Sequence, residues 1–162
     1  MKALSRLGFP ARWMGGEPSP MKPTDSAEPG VRGNGEGAFR VLMVDDEELI
    51  RRLALGMASR LRVDLVAVAT APAALEMARA SRLDVLVTDV LLGEGADGIE
   101  LARQVLALQP WASVVLMSGY SASHFDLDQL PRHTQFLTKP FSIDSLMHCL
   151  TEARQQSAAS GQ

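Results

Sequence analysis

The chain alternates short, uninterrupted apolar runs with longer stretches in which apolar residues return every three or four positions. The runs are Val41-Leu42-Met43-Val44, Leu65-Val66-Ala67-Val68, Val85-Leu86-Val87, Val114-Val115-Leu116-Met117 and Phe136-Leu137. A strand wet on one face alternates apolar with polar residues, whereas a strand covered on both faces is apolar throughout. Five buried strands are therefore predicted. Between them the helical period predicts helices over about 47–60, 72–80, 97–108, 121–129 and 142–154. In the first of these, Leu49, Leu53, Met57 and Leu61 form the expected apolar stripe. The punctuation agrees: Pro72 suits a first turn, Asp97 and Ser142 suit N-caps, and Pro110 closes the third helix.

Strands that alternate with helices build a parallel sheet with helices on both faces. The expected fold is α/β: a flavodoxin-like, doubly wound, five-stranded parallel sheet of order 2-1-3-4-5 with five helices. The folded domain should span 39–154. Residues 1–38 include a Gly-, Pro-, Ser- and Glu-rich stretch with almost nothing to bury, the composition of a disordered arm. Residues 155–162 are small and polar and should form a flexible tail. No repeat or second domain emerges.

Composition narrows the partners. The net charge is -3 and the basic residues are scattered, so the electrostatic footprint of a nucleic-acid binder is missing. Arg51, Arg52, Arg60 and Arg62 read as a solvated face. The first residues, to Arg12, lack the continuous apolar run of a signal peptide or membrane span, so a cytoplasmic protein with no membrane partner is expected. The single Cys149 can form no internal disulfide and reads as a buried structural thiol in a reducing compartment. His124, His133 and His148 share no metal-ligand spacing.

The chemistry lies where the apolar runs end, because an open parallel sheet holds its ligand at the carboxyl ends of its strands. The first run ends in Asp45-Asp46, the third in Thr88-Asp89, the fourth in Ser118-Gly119 and the fifth in Thr138-Lys139-Pro140. Carboxylates gathered in a crevice repel one another and lose hydration, so they need cations to stay ionised. Mg²⁺ fits: it takes hard oxygen ligands and leaves positions open for phosphate oxygens. Lys139 brings a second positive charge, able to pair with Asp89 or with a phosphoryl oxygen, and Ser118 offers a hydroxyl. A carboxylate flanked by a metal and an ammonium can attack phosphorus, which makes Asp89 the candidate nucleophile. Glu47 and Glu48, at the start of a helix, read first as helix capping and second as modulators of the metal.

These segments resemble the receiver domains of two-component response regulators over about Arg40 to Ala153. The resemblance rests on Val44-Asp45-Asp46-Glu47, Val87-Thr88-Asp89, Met117-Ser118-Gly119-Tyr120 and Phe136-Leu137-Thr138-Lys139-Pro140-Phe141. It implies that Asp89 is the phosphoacceptor, Asp46 a direct Mg²⁺ ligand, Asp45 a second acid acting largely through metal-bound water, and Leu91 the donor of a backbone carbonyl. It also implies that Ser118 moves onto the phosphoryl group, that Phe136 swings inward with it, and that the Lys139–Pro140 bond is cis. The loop from Leu91 to Gly98 departs from many receivers in lacking a proline and carrying one more residue, as in receivers attached to hybrid histidine kinases. Phe136 has no hydroxyl, so a switch there works by packing.

The expected function is that of a phosphorelay receiver, taking its phosphoryl group from a histidine kinase or histidine phosphotransfer protein. Signalling would follow by contact through the face of the fourth predicted helix, fifth strand and fifth predicted helix. No separate enzymatic activity is expected beyond self-phosphorylation from a donor and autodephosphorylation. The alternative is a receiver-shaped docking module that is never phosphorylated. An aspartyl phosphatase of another α/β family would want Asp-x-Asp after the first strand, and here the acids are adjacent.

Overall fold

The structure, a computed structural model, describes Trp13 and residues 38–120 and 124–160. Its strands are β1 (Arg40–Val44), β2 (Asp64–Val68), β3 (Val85–Asp89), β4 (Ser113–Ser118) and β5 (Thr134–Thr138). Its α-helices are α1 (Glu48–Leu61), α2 (Ala71–Ala80), α3 (Gly98–Leu108) and α4 (Ile143–Ser160). The strands form one sheet in the order β2-β1-β3-β4-β5, every pair parallel, as the alternation of strand and helix predicts.

The apolar runs are continuous because both faces of the sheet are covered. Leu42, Val44, Leu86 and Leu116 pack into one core layer with Met77 of α2 and Leu101 of α3. Val41, Met43, Val87 and Met117 pack into the other with Leu146 and Leu150 of α4. Successive residues of a strand thus enter opposite layers. Cys149 is buried in the second layer, and burial pushes its thiol above its ordinary pKa. No helix among the described residues is long and apolar enough to cross a membrane.

Local signals hold at several boundaries. Thr70 caps α2 by accepting the Ala73 amide, with proline in the first turn. The Asp97 carboxylate caps α3 by accepting the Ile99 amide at 2.8 Å, and Ser142 Oγ accepts the Ser145 amide at 3.1 Å at the head of α4.

Four expectations are corrected. Only half of the stripe Leu49, Leu53, Met57, Leu61 lies on the core face of α1: Leu49 and Leu53 are 67% and 47% exposed, whereas Met57 and Leu61 pack against the core with Ile50, Ala58 and the buried Ala54. Both the Leu49–Leu53 and the Ile50–Ala54 spacings obey the helical period, and the small Ala54 lets the helix sit close to the sheet. The helix expected over 121–129 is not found among the described residues. Residues 121–123 lie outside them, and the remainder holds only a short 3-10 turn, Leu127–Gln129. There Asp126 bonds the Asp128 amide and the Gln129 side chain, a local alternative to helix. The described α-helices therefore number four, not five. Helix α4 runs on to Ser160 through the expected tail, since Gln155, Gln156 and Ala159 are good helix formers and no glycine intervenes before Gly161. Finally, Trp13, inside the segment expected to be a disordered arm, is buried at 1% exposure in the core layer that contains Val66 and Met77. Of 1–38, all but Trp13 and Ala38 lies outside the described residues.

One glycine seats the site. The Gly98 amide donates to the Val90 carbonyl at 2.8 Å, and a Cβ there would lie 1.8 Å from the Asp89 carbonyl oxygen. The backbone of Asp89 would have to move. Gly98→Ala is expected to cost about 3 kcal/mol, read as a lowered urea midpoint; an unchanged midpoint would show that this contact is easily relieved.

Candidate functional site

The register carries the polar strand ends to one edge. Val44 pairs with Thr88, Asp89 with Met117, and Ser118 with Thr138, so Asp45, Asp89, Ser118 and Lys139 emerge side by side. Backbone bonds continue past the strands: Asp45 N–H to Val68 O at 3.2 Å, Val90 N–H to Met117 O at 2.9 Å and Lys139 N–H to Ser118 O at 2.8 Å. The Lys139–Pro140 peptide bond is cis.

Lys139 is the centre of the charge arrangement. Its Nζ donates to Asp45 Oδ2 at 2.7 Å and to Asp89 Oδ2 at 2.5 Å, and lies 3.6 Å from Glu47 Oε1. Asp45 is fully buried, and its Oδ1 accepts the Glu47 amide at 2.8 Å. Burial pushes the Asp45 carboxyl above the ordinary carboxylate value, and the bonds from Lys139 and the Glu47 amide offset only part of that. Burial disfavours the Lys139 charge, but the bonds to Asp45 and Asp89 more than compensate and hold its pKa above the ordinary lysine value. Asp89 Oδ1 accepts the Leu91 amide at 3.1 Å.

Oxygens of Asp45, Glu47 and Asp89 all come within 4.8 Å of one another, a hard-oxygen set that could hold a metal ion. The ligands expected from the sequence are Asp45, Asp46, Asp89 and the Leu91 backbone carbonyl. The structure leaves Asp46 exposed, with its carboxylate beside Gly93 of the β3–α3 loop, where a Cβ would lie 3.2 Å from Oδ2. Glu47 occupies the N-cap position of α1, but its side chain makes no capping bond, a correction to its assignment as a cap. Its second assignment, as a modulator of the metal, agrees with the third carboxylate that the acidic run after β1 puts on the same turn, although its place in the oxygen set itself was not foreseen. Glu48 instead pairs with Arg52 at 2.6 Å along the helix.

Arg51 was also missed. Rather than belonging to a solvated face, its Nη1 donates to the carbonyls of Asp45 and Asp46 at 2.8 and 2.9 Å, bracing the acidic turn from behind. Ser118 is buried, and its Oγ accepts the Tyr120 amide at 2.9 Å. Beside Asp89 and Ser118 lies a cavity of about 360 Å³ walled by Leu91, Gly119, Tyr120 and Phe125. Leu91 and Tyr120 are 69% and 62% exposed at its mouth. Phe136, midway along β5, is half-buried and stacks on Phe125 with ring centroids 5.6 Å apart.

Such a strand order, with acids and a lysine on the carboxyl edge, defines a receiver-type α/β domain. The model of the response regulator receiver domain matches residues 41–151, and the chain belongs to that family, the receivers of two-component systems. It is 26% identical over 110 residues to the response regulator receiver protein CpdR of Brucella abortus (strain 2308), covering 67% of this chain and 91% of that one. Among solved structures it is similar to a two-component transcriptional regulator AraC from Clostridium phytofermentans ISDg, at 30% identity and a TM-score of 0.66, covering 75% of this chain and 97% of that one. The receiver domain of the hybrid histidine kinase CckA matches at 27% identity and a TM-score of 0.57, covering 73% and 98% respectively.

Removing the lysine should expose what it holds together. Lys139→Met leaves a buried Asp45 and its neighbour Asp89 without their cation, at an expected cost of about 3 kcal/mol at neutral pH. Protonation relieves uncompensated carboxylates, so the deficit should shrink as pH falls. Urea unfolding of both proteins across that range checks it; a deficit that grows in acid would contradict the arrangement.

Proposed function

We propose that the protein accepts a phosphoryl group on Asp89, from a histidine kinase or histidine phosphotransfer protein, and signals by a change of surface. The observation that carries this is Lys139 Nζ bonded at once to Asp45 and Asp89. Two acidic side chains share one ammonium at a crevice mouth, and Asp89 is reachable beside a cavity.

The fit to Mg²⁺ rests on the oxygen set of Asp45, Glu47 and Asp89, with Asp46 at its rim. When bound, the ion would supply positive charge that screens the acids from an incoming phosphate. The protein's own groups do the rest. An Asp89 carboxylate oxygen attacks phosphorus, the new O–P bond forms, and the bond to the donor's imidazole nitrogen breaks as the imidazole leaves. Lys139 is then free to donate to a phosphoryl oxygen rather than to Asp89.

Ser118 Oγ, at present an acceptor for the Tyr120 amide, can turn its own proton towards the same group. Its movement would vacate space that Phe136 could enter by leaving Phe125, a change of packing that shifts an existing equilibrium between two states. The exposed Leu49 and Leu53 on α1, the helix that follows the acidic turn, offer an apolar surface for the donor protein. Output through the β5–α4 face suits Phe136, which lies on β5. Water attack on the aspartyl phosphate returns the resting state, and Leu91 and Tyr120 at the cavity mouth slow it. Activity is confined to this gain and loss of phosphate, and the lone buried thiol of Cys149 suits a cytoplasmic setting.

Acetyl phosphate with Mg²⁺ should add one phosphoryl group by intact mass, and Asp89→Asn or a chelator should abolish it. Leu91→Asn with Tyr120→Ser should shorten the lifetime of the adduct. Absence of any adduct, together with no Mg²⁺-dependent binding of beryllofluoride, would favour an unphosphorylated docking module instead.

A further inference from the structure

The edge of the sheet opposite Asp89 holds a second built contact, outside the stretch that matches the receiver family. Trp13 is 1% exposed. Its Nε1 donates to Asp64 Oδ2 at 2.7 Å, at the first residue of β2. Its carbonyl accepts a bond from the Ser81 hydroxyl, at the C-cap of α2. The guanidinium of Arg40, first residue of β1, stands 5.6 Å from the ring centroid. Apolar contact, a donor satisfied by a carboxylate, a cation over the ring and a backbone bond all converge on one side chain. A tryptophan merely resting on a surface would leave its N–H and carbonyl to water.

We infer that the amino-terminal edge of this domain carries an indole-binding slot, formed by Arg40, Asp64 and Ser81 and the core beneath them, whose occupant is Trp13 of the same chain. Arg40 both borders the slot and opens β1, so the slot lies next to the point where the intervening residues 14 to 37 return to the domain. That stretch can reach roughly 80 Å when extended. Tethered at such range, Trp13 meets its slot at an effective concentration on the order of millimolar, which outcompetes a second copy at micromolar protein. Trp13 is therefore part of the folded unit, although it precedes the stretch that matches the receiver family. This inference is independent of the phosphoacceptor reading, since no group at the Asp89 edge takes part.

The test uses the full chain labelled with 5-fluorotryptophan, whose two tryptophans give two ¹⁹F resonances; Trp13→Phe identifies the signal of Trp13. The expected result is a Trp13 resonance with little solvent isotope shift in D₂O, unchanged over a wide range of protein concentration, in a species with the hydrodynamic mass of one chain. Asp64→Ala should move that resonance and speed exchange of the indole N–H while leaving Trp111 in place. Trp13→Ala should lower Tm by roughly 10 °C, with Trp13→Phe as a milder variant if the alanine protein does not fold. A solvent-like Trp13 signal would overturn the inference. So would protection found only in a species of twice the mass, which would make a second copy the occupant.

Discussion

The three bonds and contacts of one ammonium group govern this molecule. Asp45 lies fully buried with Asp89 beside it, and two carboxyl groups so close in a crevice call for a shared cation. Lys139 supplies that charge, and the carboxylates in turn keep the lysine protonated against its own burial. The arrangement is stable only while all three groups are present, and so it is poised for exchange. Any species that brings its own positive charge to the acids, or that turns Asp89 into an ester-like group, changes what Lys139 is bonded to.

The rest of the fold serves to hold those groups in register. Parallel pairing sets β1, β3, β4 and β5 so that their carboxyl ends share an edge, and each apolar run is long enough to anchor its polar terminus in two core layers. Gly98 admits the Asp89 backbone at a distance no side chain would permit. Arg51 ties the turn after β1 through two carbonyls, leaving the carboxylates of Asp45 and Glu47 to face Lys139. At the opposite edge the cation–π contact of Arg40 and the carboxylate of Asp64 hold Trp13. The strand starts are thus occupied by structure and the strand ends by chemistry.

The sheet was legible because doubly covered strands have no polar alternation to confuse, and the five apolar runs map directly onto β1 to β5. Asp89 and Lys139 were legible because each stands one threonine past the end of an apolar run. Helix faces were harder: in α1 the spacing of Leu49 and Leu53 is as helical as that of Ile50 and Ala54, and only tertiary packing chooses between them. Residues 124–129 carry helical spacing too, but the Asp126 carboxylate competes for local amides. The role of Glu47 depended on the turn geometry after β1, and the burial of Trp13 on a contact remote in sequence. Neither leaves a periodic trace. A composition poor in apolar residues across Gly15 to Ala38 says nothing about a single large side chain just before it.

The charge arrangement around Lys139 is tested most directly by residue-resolved NMR of the labelled protein titrated with Mg²⁺ and then beryllofluoride. It predicts that amides around Asp45–Glu47, Asp89–Leu91, Ser118–Tyr120 and Lys139 shift first, with Phe136 following only on addition of beryllofluoride, while Arg40, Asp64 and Ser81 at the far edge stay unchanged. Shifts absent from the acidic edge, or spread evenly over both edges, would contradict it.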